Sequence, residues 1–133
     1  QWIHDDALAS DITSNQFDGL LMAYGLRNLS SSYYGLKEAL RILKPGGRAG
    51  VLDFRSFEVL SIPWLFQNIY LSFYVVPIAS LFGLRNEYSY IKKSLVDFPS
   101  GKKQIDLAIS AGFKKANYKT LAMGQMGILL LEA

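Results

Sequence analysis

The sequence has 133 residues, a formal net charge of +3 at neutral pH and no cysteine. This length suits a single domain with its own core, and the lack of cysteine excludes disulfides and thiolate metal sites. A zinc site or a Ser-His-Asp triad would depend on the one histidine, His4, so no metal site is expected. The lysines are dispersed. They are typical of a solvated face and compatible with an anionic membrane surface, but not with a nucleic-acid groove.

A strand, a helix and a second strand are predicted over residues 17–54. The apolar run Gly19 to Tyr24 predicts a strand buried on both faces, as in a parallel sheet covered by helices. Ser30 to Ser32 offer N-cap oxygens for the helix, and Pro45-Gly46-Gly47 is predicted to end it. Arg48 to Phe54 then predicts the second buried strand, which completes a βαβ unit.

The carboxyl ends of these two strands are where a ligand is expected. In open α/β sheets, ligands bind outside the carboxyl ends of the parallel strands. Tyr24 to Asn28 follows the first strand, and Asp53 and Phe54 end the second. The sequence therefore predicts a functional site formed by these two segments.

The most unusual stretch is Val59 to Leu84, which contains 26 residues without a charge. Its length would suffice for a membrane-spanning helix. Pro63, Pro77, Gln67 and Asn68 instead favour a lid or a pair of interfacial helices, which we assign to residues 57–85. In isolation the same stretch would form a large exposed apolar patch that favours oligomerisation.

The rest of the chain, from residue 86 onward, predicts two helices and the last two strands of a sheet. A short helix is expected from Tyr88 to Pro99, and a second from Gln104 to Ala111, with Gly112 just after its end. Weak alternation over residues 114–122 predicts a strand, and residues 128–131 a buried one. These two strands are expected to pair antiparallel.

Three motifs carry a resemblance to a known family: GLRN after the first strand, LKPGGRAGVLDF, and YSYIKKSLVDFP. Together they resemble the UbiE/MenG-like C-methyltransferases of quinone biosynthesis, which include the cyanobacterial demethylphylloquinone methyltransferases. The resemblance implies an α/β fold and S-adenosylmethionine (AdoMet) as cofactor. The family's glycine-rich G-x-G-x-G loop has no counterpart in these residues. The chain therefore resembles the carboxyl-terminal part of a methyltransferase. We expect an incomplete class I (Rossmann-like) sheet containing strands four, five, seven and six with flanking helices, and weak AdoMet binding by this part alone.

The resemblance also implies cofactor-binding residues. Asp6 matches the family's adenine-binding aspartate, and Ala7 the residue whose backbone N–H faces the ring. Tyr24 and Gly25 are assigned to the same cofactor. Ser10 to Thr13 departs from the family's L-P-F-P segment, and Asp6 is equally well explained as a loop or helix-capping aspartate.

The substrate side follows from the GLRN motif. Methylation of a quinol ring carbon requires electron density in the ring. The resemblance implies that Arg27 stabilises phenolate charge or orients a water that takes the phenolic proton. It implies also that Asn28 binds a quinol oxygen. Without the resemblance, Arg27 and Asn28 read as a loop turn with an ion pair. The expected substrate-binding residues are Asp53, Phe54, Trp64, Tyr88 and Tyr90.

Three functions are consistent with these features. The first is AdoMet-dependent C-methylation of a prenylated or phytylated quinol. The second is a catalytically inactive remnant that binds a quinone, a lipid or a protein partner, and the third is a methyltransferase for another lipophilic acceptor. In the family the first strand lies beside the fourth, so without it Gly19 to Tyr24 is expected to form an exposed apolar edge of the sheet. We expect a homodimer through this edge strand or the apolar lid, no nucleic-acid partner, and a cytoplasmic location with peripheral membrane contact.

Overall fold

The structure is a computed structural model that describes residues 2–57, 61–81, 94–95 and 97–133. Four strands and four α-helices are present in these residues, with short 3-10 turns at Leu26–Asn28 and Ala122–Gly124 and a π-helical turn at Leu71–Val75. The strands are β1 (Phe17–Ala23), β2 (Leu43–Phe54), β3 (Lys115–Leu121) and β4 (Met126–Glu132). The helices are α1 (Ser32–Ile42), α2 (Ile62–Tyr70), α3 (Val76–Leu81) and α4 (Gly101–Ala111).

The sheet has the strand order β1-β2-β4-β3. β1 and β2 are parallel, whereas β4 pairs antiparallel with both β2 and β3. This order is the one expected for strands four, five, seven and six of a class I methyltransferase sheet. The predicted fold class and the predicted antiparallel closing pair are both confirmed.

The βαβ unit forms largely as predicted, with one correction at the start of β2. The Ser31 side chain caps α1 by accepting a hydrogen bond from the backbone N–H of Tyr34 at 3.3 Å. β2 begins at Leu43 rather than Arg48, because residues 43–48 pair irregularly with β1 through a bulge. Gly46 has a φ of +81° at this bulge, a conformation that suits glycine.

The prediction that β1 is buried on both faces is wrong for the described residues. Leu20 and Met22 pack against the core, whereas Leu21 is 90% exposed on the opposite face. β1 is an edge strand of the described sheet, as predicted, since it pairs only with β2. An apolar run shows that its side chains favour burial, but it does not show whether another layer of the fold covers them.

The core lies between the sheet and the two helices α1 and α4. Leu36 of α1, Val51 of β2 and Leu129 of β4 are almost fully buried there, together with Ala108 of α4. α4 begins at Gly101, three residues before the predicted start, and ends as predicted at Gly112, whose φ is +113°.

The uncharged segment is helical from Ile62 to Leu81 where the structure describes it. Among the described residues, no helix is both long enough and apolar enough to cross a bilayer. Residues 58–60 and 82–85 of the predicted lid lie outside the described residues, as do Tyr88 and Tyr90.

Candidate functional site

A buried ion pair joins the carboxyl ends of the two parallel strands. The 3-10 turn after β1 positions Arg27, whose Nε donates to Oδ1 of Asp53 at 3.0 Å, at the end of β2. The Arg27 and Asp53 side chains are 5% and 4% exposed. The pair thus lies at the edge of the sheet where the sequence predicts a site.

Backbone groups complete the hydrogen bonding of the Asp53 carboxylate. Oδ2 accepts from the backbone N–H of Arg27 at 3.1 Å, and Oδ1 also accepts from the backbone N–H of Phe54 at 2.8 Å. A buried ion pair is tolerated when such additional hydrogen bonds satisfy the charged atoms. Without the family resemblance, the sequence predicted a loop turn with an ion pair, and that ion pair is present. It also holds the Arg27 guanidinium in one orientation.

Ser94 is a site residue that the sequence reasoning missed. Its Oγ accepts a hydrogen bond from Nη1 of Arg27 at 2.6 Å, although the two residues are 67 positions apart. The residues adjacent to Ser94 in the sequence do not indicate a contact with a residue 67 positions away. A cleft of about 420 Å³ beside the guanidinium is lined by Arg27, Ser94, Tyr33 and Asp97. Asp97 is exposed and was also not among the predicted site residues.

Aromatic rings form the outer side of this edge. The Phe54 ring centroid lies 5.6 Å from Cζ of Arg27 and 5.4 Å from the Tyr24 ring centroid. Tyr24 has a φ of 55°, and its carbonyl accepts a hydrogen bond from Nδ2 of Asn28 at 3.0 Å. The Tyr24 hydroxyl donates to the sulfur of Met126 at 3.1 Å. Tyr24, Arg27, Asn28, Asp53 and Phe54 are thus brought together as predicted.

The remaining predicted cofactor residues line a separate cleft. Asp6 and Ala7 are exposed on the walls of a cleft of about 230 Å³, whose apolar side includes Leu20 and Met22. Oδ1 of Asp6 accepts from the backbone N–H of Leu8 at 2.9 Å, which is the loop-aspartate role considered for it. The second carboxylate oxygen accepts no hydrogen bond within the described residues.

Met22 lies next to Gly25, the residue that precedes the 3-10 turn bearing Arg27. It lines the cleft, and a Cβ added at Gly25 would lie only 2.9 Å from Cγ of Met22. A larger residue than glycine would therefore displace the wall of the cleft. The absence of a side chain at Gly25 therefore leaves room for the Met22 side chain that lines the cleft.

A polar network that sequence reasoning missed fixes the loop bearing Asp6. Oε1 of Glu38 on α1 accepts from the backbone N–H and the hydroxyl of Ser10, at 2.9 and 2.6 Å. Glu38 also pairs with Arg41 at 2.6 Å, and Arg41 donates to the Ser10 carbonyl at 3.0 Å and to the Ser14 hydroxyl at 3.0 Å. Hydrogen bonds from Arg41, then from Ser10, lower the pKa of Glu38 to about 2. Ser10 is one of the positions at which this sequence departs from the family pattern. Its hydrogen bonds attach the loop that lines the cleft to α1.

Trp64 lies on α2, in the uncharged segment. Its backbone N–H donates to Oγ of Ser61 at 3.2 Å, and its side chain is partly buried one turn before Gln67. Gln67 is buried and donates from Nε2 to the carbonyl of Arg55 at 2.9 Å, which anchors α2 to the chain after β2. Tyr88 and Tyr90 complete the predicted substrate residues but lie outside the described part of the chain.

The model of the ubiE/COQ5 methyltransferase family matches residues 1–130 of this chain. The chain belongs to that family. A 2-phytyl-1,4-naphthoquinone methyltransferase of Nostoc punctiforme is 45% identical, and the match covers 98% of this chain and 56% of that protein. The chloroplastic 2-phytyl-1,4-β-naphthoquinone methyltransferase of Arabidopsis thaliana is 35% identical, with 98% of this chain and 49% of that protein covered. This member of the family thus spans about half the length of the curated relatives that it matches.

Solved structures show the same fold. A SAM-dependent methyltransferase of Aquifex aeolicus aligns with a TM-score of 0.62 at 14% identity, over 99% of this chain and 54% of that one. A SAM-dependent methyltransferase of Thermotoga maritima aligns with a TM-score of 0.59 at 20% identity, over 95% of this chain and 60% of that one. This family member therefore has part of a methyltransferase fold, as the resemblance of its sequence implied.

Proposed function

We propose that this chain carries the acceptor-side half of an AdoMet-dependent enzyme that methylates a ring carbon of a prenylated or phytylated quinol. The observation that carries this proposal is the Arg27–Asp53 pair beside Phe54, at the carboxyl ends of two parallel strands. Family membership and the names of the relatives support the same reaction.

The cleft at Asp6 has the chemistry of an adenine site. The unoccupied carboxylate oxygen of Asp6 is an acceptor for an exocyclic amine, the backbone N–H of Ala7 is a donor for a ring nitrogen, and Leu20 and Met22 offer apolar contact. These residues fit the adenine end of AdoMet, which supplies an electrophilic methyl group when bound. Tyr24 and Gly25, which link β1 to the turn bearing Arg27, are assigned to the same cofactor.

Arg27 is assigned to phenolate stabilisation. A guanidinium is a poor base at neutral pH, so it acts by charge and by hydrogen bonding rather than by taking a proton. Asp53 and Ser94 hold Nε and Nη1, and within the described residues Nη2 makes no hydrogen bond. A phenolate oxygen at Nη2 would push electron density into the ring and make its carbon a better nucleophile. Nη2 could equally hold a water that takes the phenolic proton.

Asn28 is assigned to orientation of the quinol. One amide hydrogen of its side chain is used by the carbonyl of Tyr24, while its Oδ1 accepts no hydrogen bond from the described residues. Oδ1 is therefore available to accept from a phenolic O–H. Phe54 offers a ring face for the quinol, and Asp53 acts through Arg27 by fixing the guanidinium.

The isoprenoid or phytyl tail is assigned to the helices α2 and α3, with Trp64, Tyr88 and Tyr90 as its remaining predicted contacts. A long apolar tail resides in a bilayer, so the enzyme must meet a membrane surface. The large exposed side chains of α2 and α3 are apolar or aromatic, whereas Gln67 is buried. This distribution supports a lid that touches lipid at the membrane surface.

A second candidate function is non-catalytic binding of a quinone, a lipid or a protein partner by the same apolar surface. The exposure of its large apolar side chains favours such binding whether or not methyl transfer occurs. A methyltransferase acting on a different lipophilic acceptor is the third candidate, since the fold does not fix the substrate.

The decisive experiment uses a chimera in which these 133 residues replace the matching segment of the Nostoc punctiforme relative. The chimera is incubated with isotopically labelled AdoMet and a short-tail naphthoquinol or benzoquinol in detergent micelles. We expect label on a ring carbon of the quinol, detected by mass spectrometry. A folded chimera that binds AdoMet but labels neither quinol would favour one of the other two functions.

A further inference from the structure

A cationic cleft lies at the foot of the apolar helix α2 and is not used in the proposed reaction. Its volume is about 390 Å³, and its charged lining residues are Arg55 and Lys102. The polar lining consists of hydroxyl groups from Ser56, Ser61, Ser100, Tyr118 and Thr120. Phe57 and Gly101 complete the lining, and among the described residues no carboxylate belongs to it.

The two cations are not neutralised by the described residues. Neither Arg55 nor Lys102 forms a salt bridge anywhere in the described ranges. Asp53 is close along the chain, but its carboxylate is already paired with Arg27. Uncompensated like charges around one concave surface attract an anion, and arginine with hydroxyl donors suits the oxygens of a phosphate.

Arg55 is held in a fixed relation to α2. Its Cζ lies 4.6 Å from the Phe57 ring centroid, and its backbone N–H donates to the carbonyl of Gln125 at 2.9 Å. Its own carbonyl accepts the hydrogen bond from Nε2 of Gln67. The residue that supplies the charge is therefore the one on which the apolar helix is anchored.

The apolar surface begins where the cleft ends. Ser61 lines the cleft, and the next residue, Ile62, is 73% exposed as the first residue of α2. Further along the helical segment, Phe66 and Phe73 are 67% and 73% exposed. The segment itself has no charge between Val59 and Leu84, so it cannot distinguish an anionic from a neutral bilayer.

We propose that the cleft between Arg55 and Lys102 binds the phosphate of an anionic lipid headgroup while the adjoining face of α2 and α3 enters the bilayer. This inference rests on the membrane contact in the proposed function and adds a lipid class and a binding site to it. The adjacency of a cationic cleft and an apolar face fits the two halves of a phospholipid, which a free phosphate would match only in part. The protein thereby docks on anionic membranes with its lid toward the lipid.

The test is vesicle co-sedimentation of the 133-residue chain. Vesicles of phosphatidylcholine alone are compared with vesicles in which phosphatidylglycerol replaces part of the phosphatidylcholine. The informative variant is Lys102→Gln, and the matched control is Lys103→Gln, which removes the same charge from a neighbouring exposed position outside the cleft. Arg55→Gln is a supporting variant, and circular dichroism checks that each protein is folded.

The proposal predicts stronger binding to phosphatidylglycerol vesicles than to neutral ones. Removing one cation from a membrane surface lowers affinity by about fivefold, so K102Q should bind the anionic vesicles about fivefold more weakly. Its binding to neutral vesicles should be unchanged, and K103Q should resemble the wild-type chain. Equal losses in K102Q and K103Q would overturn the cleft as the site, because they would show a response to overall charge.

Two further outcomes separate the alternatives. Binding of inorganic phosphate is measured calorimetrically without vesicles. If the wild-type chain binds phosphate and K102Q does not, the cleft is a site for free phosphate, and the proposal of a lipid headgroup is overturned. Binding to neutral and anionic vesicles with equal affinity would overturn the headgroup site but leave the apolar contact intact. Methyl transfer by the chimera in detergent micelles uses no vesicle, so its failure is a separate result that concerns the proposed reaction alone.

Discussion

Arg27 and Asp53 form a buried ion pair across the ends of two parallel strands, although 26 positions separate them in the sequence. Each side chain has hydrogen-bond partners besides the other, which fixes the guanidinium relative to the sheet. The same pair therefore contributes to stability and to the orientation of the group assigned to the substrate.

Replacing Asp53 by Asn should destabilise the fold strongly. The substitution leaves the Arg27 charge buried without its partner, and breaking a buried pair in this way costs about 3–5 kcal/mol. Urea unfolding followed by circular dichroism measures the change. Asp18→Asn is the control, since it removes the same charge from the exposed pair with Lys44 and should hardly move the midpoint. Equal midpoints for the two variants would contradict a structural role for the buried pair.

The Glu38 network predicts a stability difference that depends on pH. The pKa of Glu38 is lowered from 4.5 to about 2, mainly by the hydrogen bond from Arg41. A carboxyl group with a lowered pKa stabilises the folded state fully above its ordinary pKa. That contribution is lost as the pH falls from about 4.5 through about 2.

Glu38→Gln should remove this contribution. The difference in unfolding free energy between the wild-type chain and E38Q should be constant above pH 5 and should shrink steadily as the pH is lowered toward about 2. The lowered pKa values of Asp18 and Glu132 affect both proteins equally and cancel in the difference. A difference that does not vary with pH across this window would show that the network is not formed in solution.

Gly127 on β4 should not accept alanine while Tyr118 is present. A Cβ at Gly127 would collide with the Tyr118 side chain, which lies across it from β3. Overpacking of this kind costs about 1–3 kcal/mol. The cost of G127A should fall sharply in a Tyr118→Ser background, as measured by a double-mutant cycle in urea. Purely additive effects would show that the tyrosine does not cover the glycine.

The open edge of β1 predicts self-association. Within the described residues β1 pairs only with β2, and Leu21 projects from it 90% exposed. We expect the wild-type chain to sediment as a homodimer and Leu21→Lys to shift it toward monomer. Phe73→Lys on the apolar helices serves as the parallel variant for the other predicted interface. A monomeric wild-type chain would exclude both interfaces.

Local signals in the sequence predicted local structure well. Ser31 caps α1 and Gly112 ends α4 because a side-chain oxygen and a left-handed φ act within one helical turn. The strand order and the grouping of Tyr24 to Asn28 with Asp53 followed from the resemblance and from the rule for parallel strands. These are features that neighbouring residues or fold topology determine.

Contacts between distant segments were not predictable. Ser94 at Arg27 and Ser10 at Glu38 are ordinary serines whose roles depend on where the fold places them. The exposure of β1 was also missed, because an apolar run does not reveal whether a covering layer lies over it. Each of these features arises from tertiary packing.

We propose that Arg27 stabilises charge on the quinol during methyl transfer. The most direct measurement is the turnover of the chimera carrying Arg27→Gln, with AdoMet affinity measured calorimetrically on the same protein. Loss of one donor to a developing oxyanion lowers kcat by about a hundredfold or more, so we expect such a loss with unchanged AdoMet binding. A folded R27Q chimera with kcat near that of the parent chimera would contradict it.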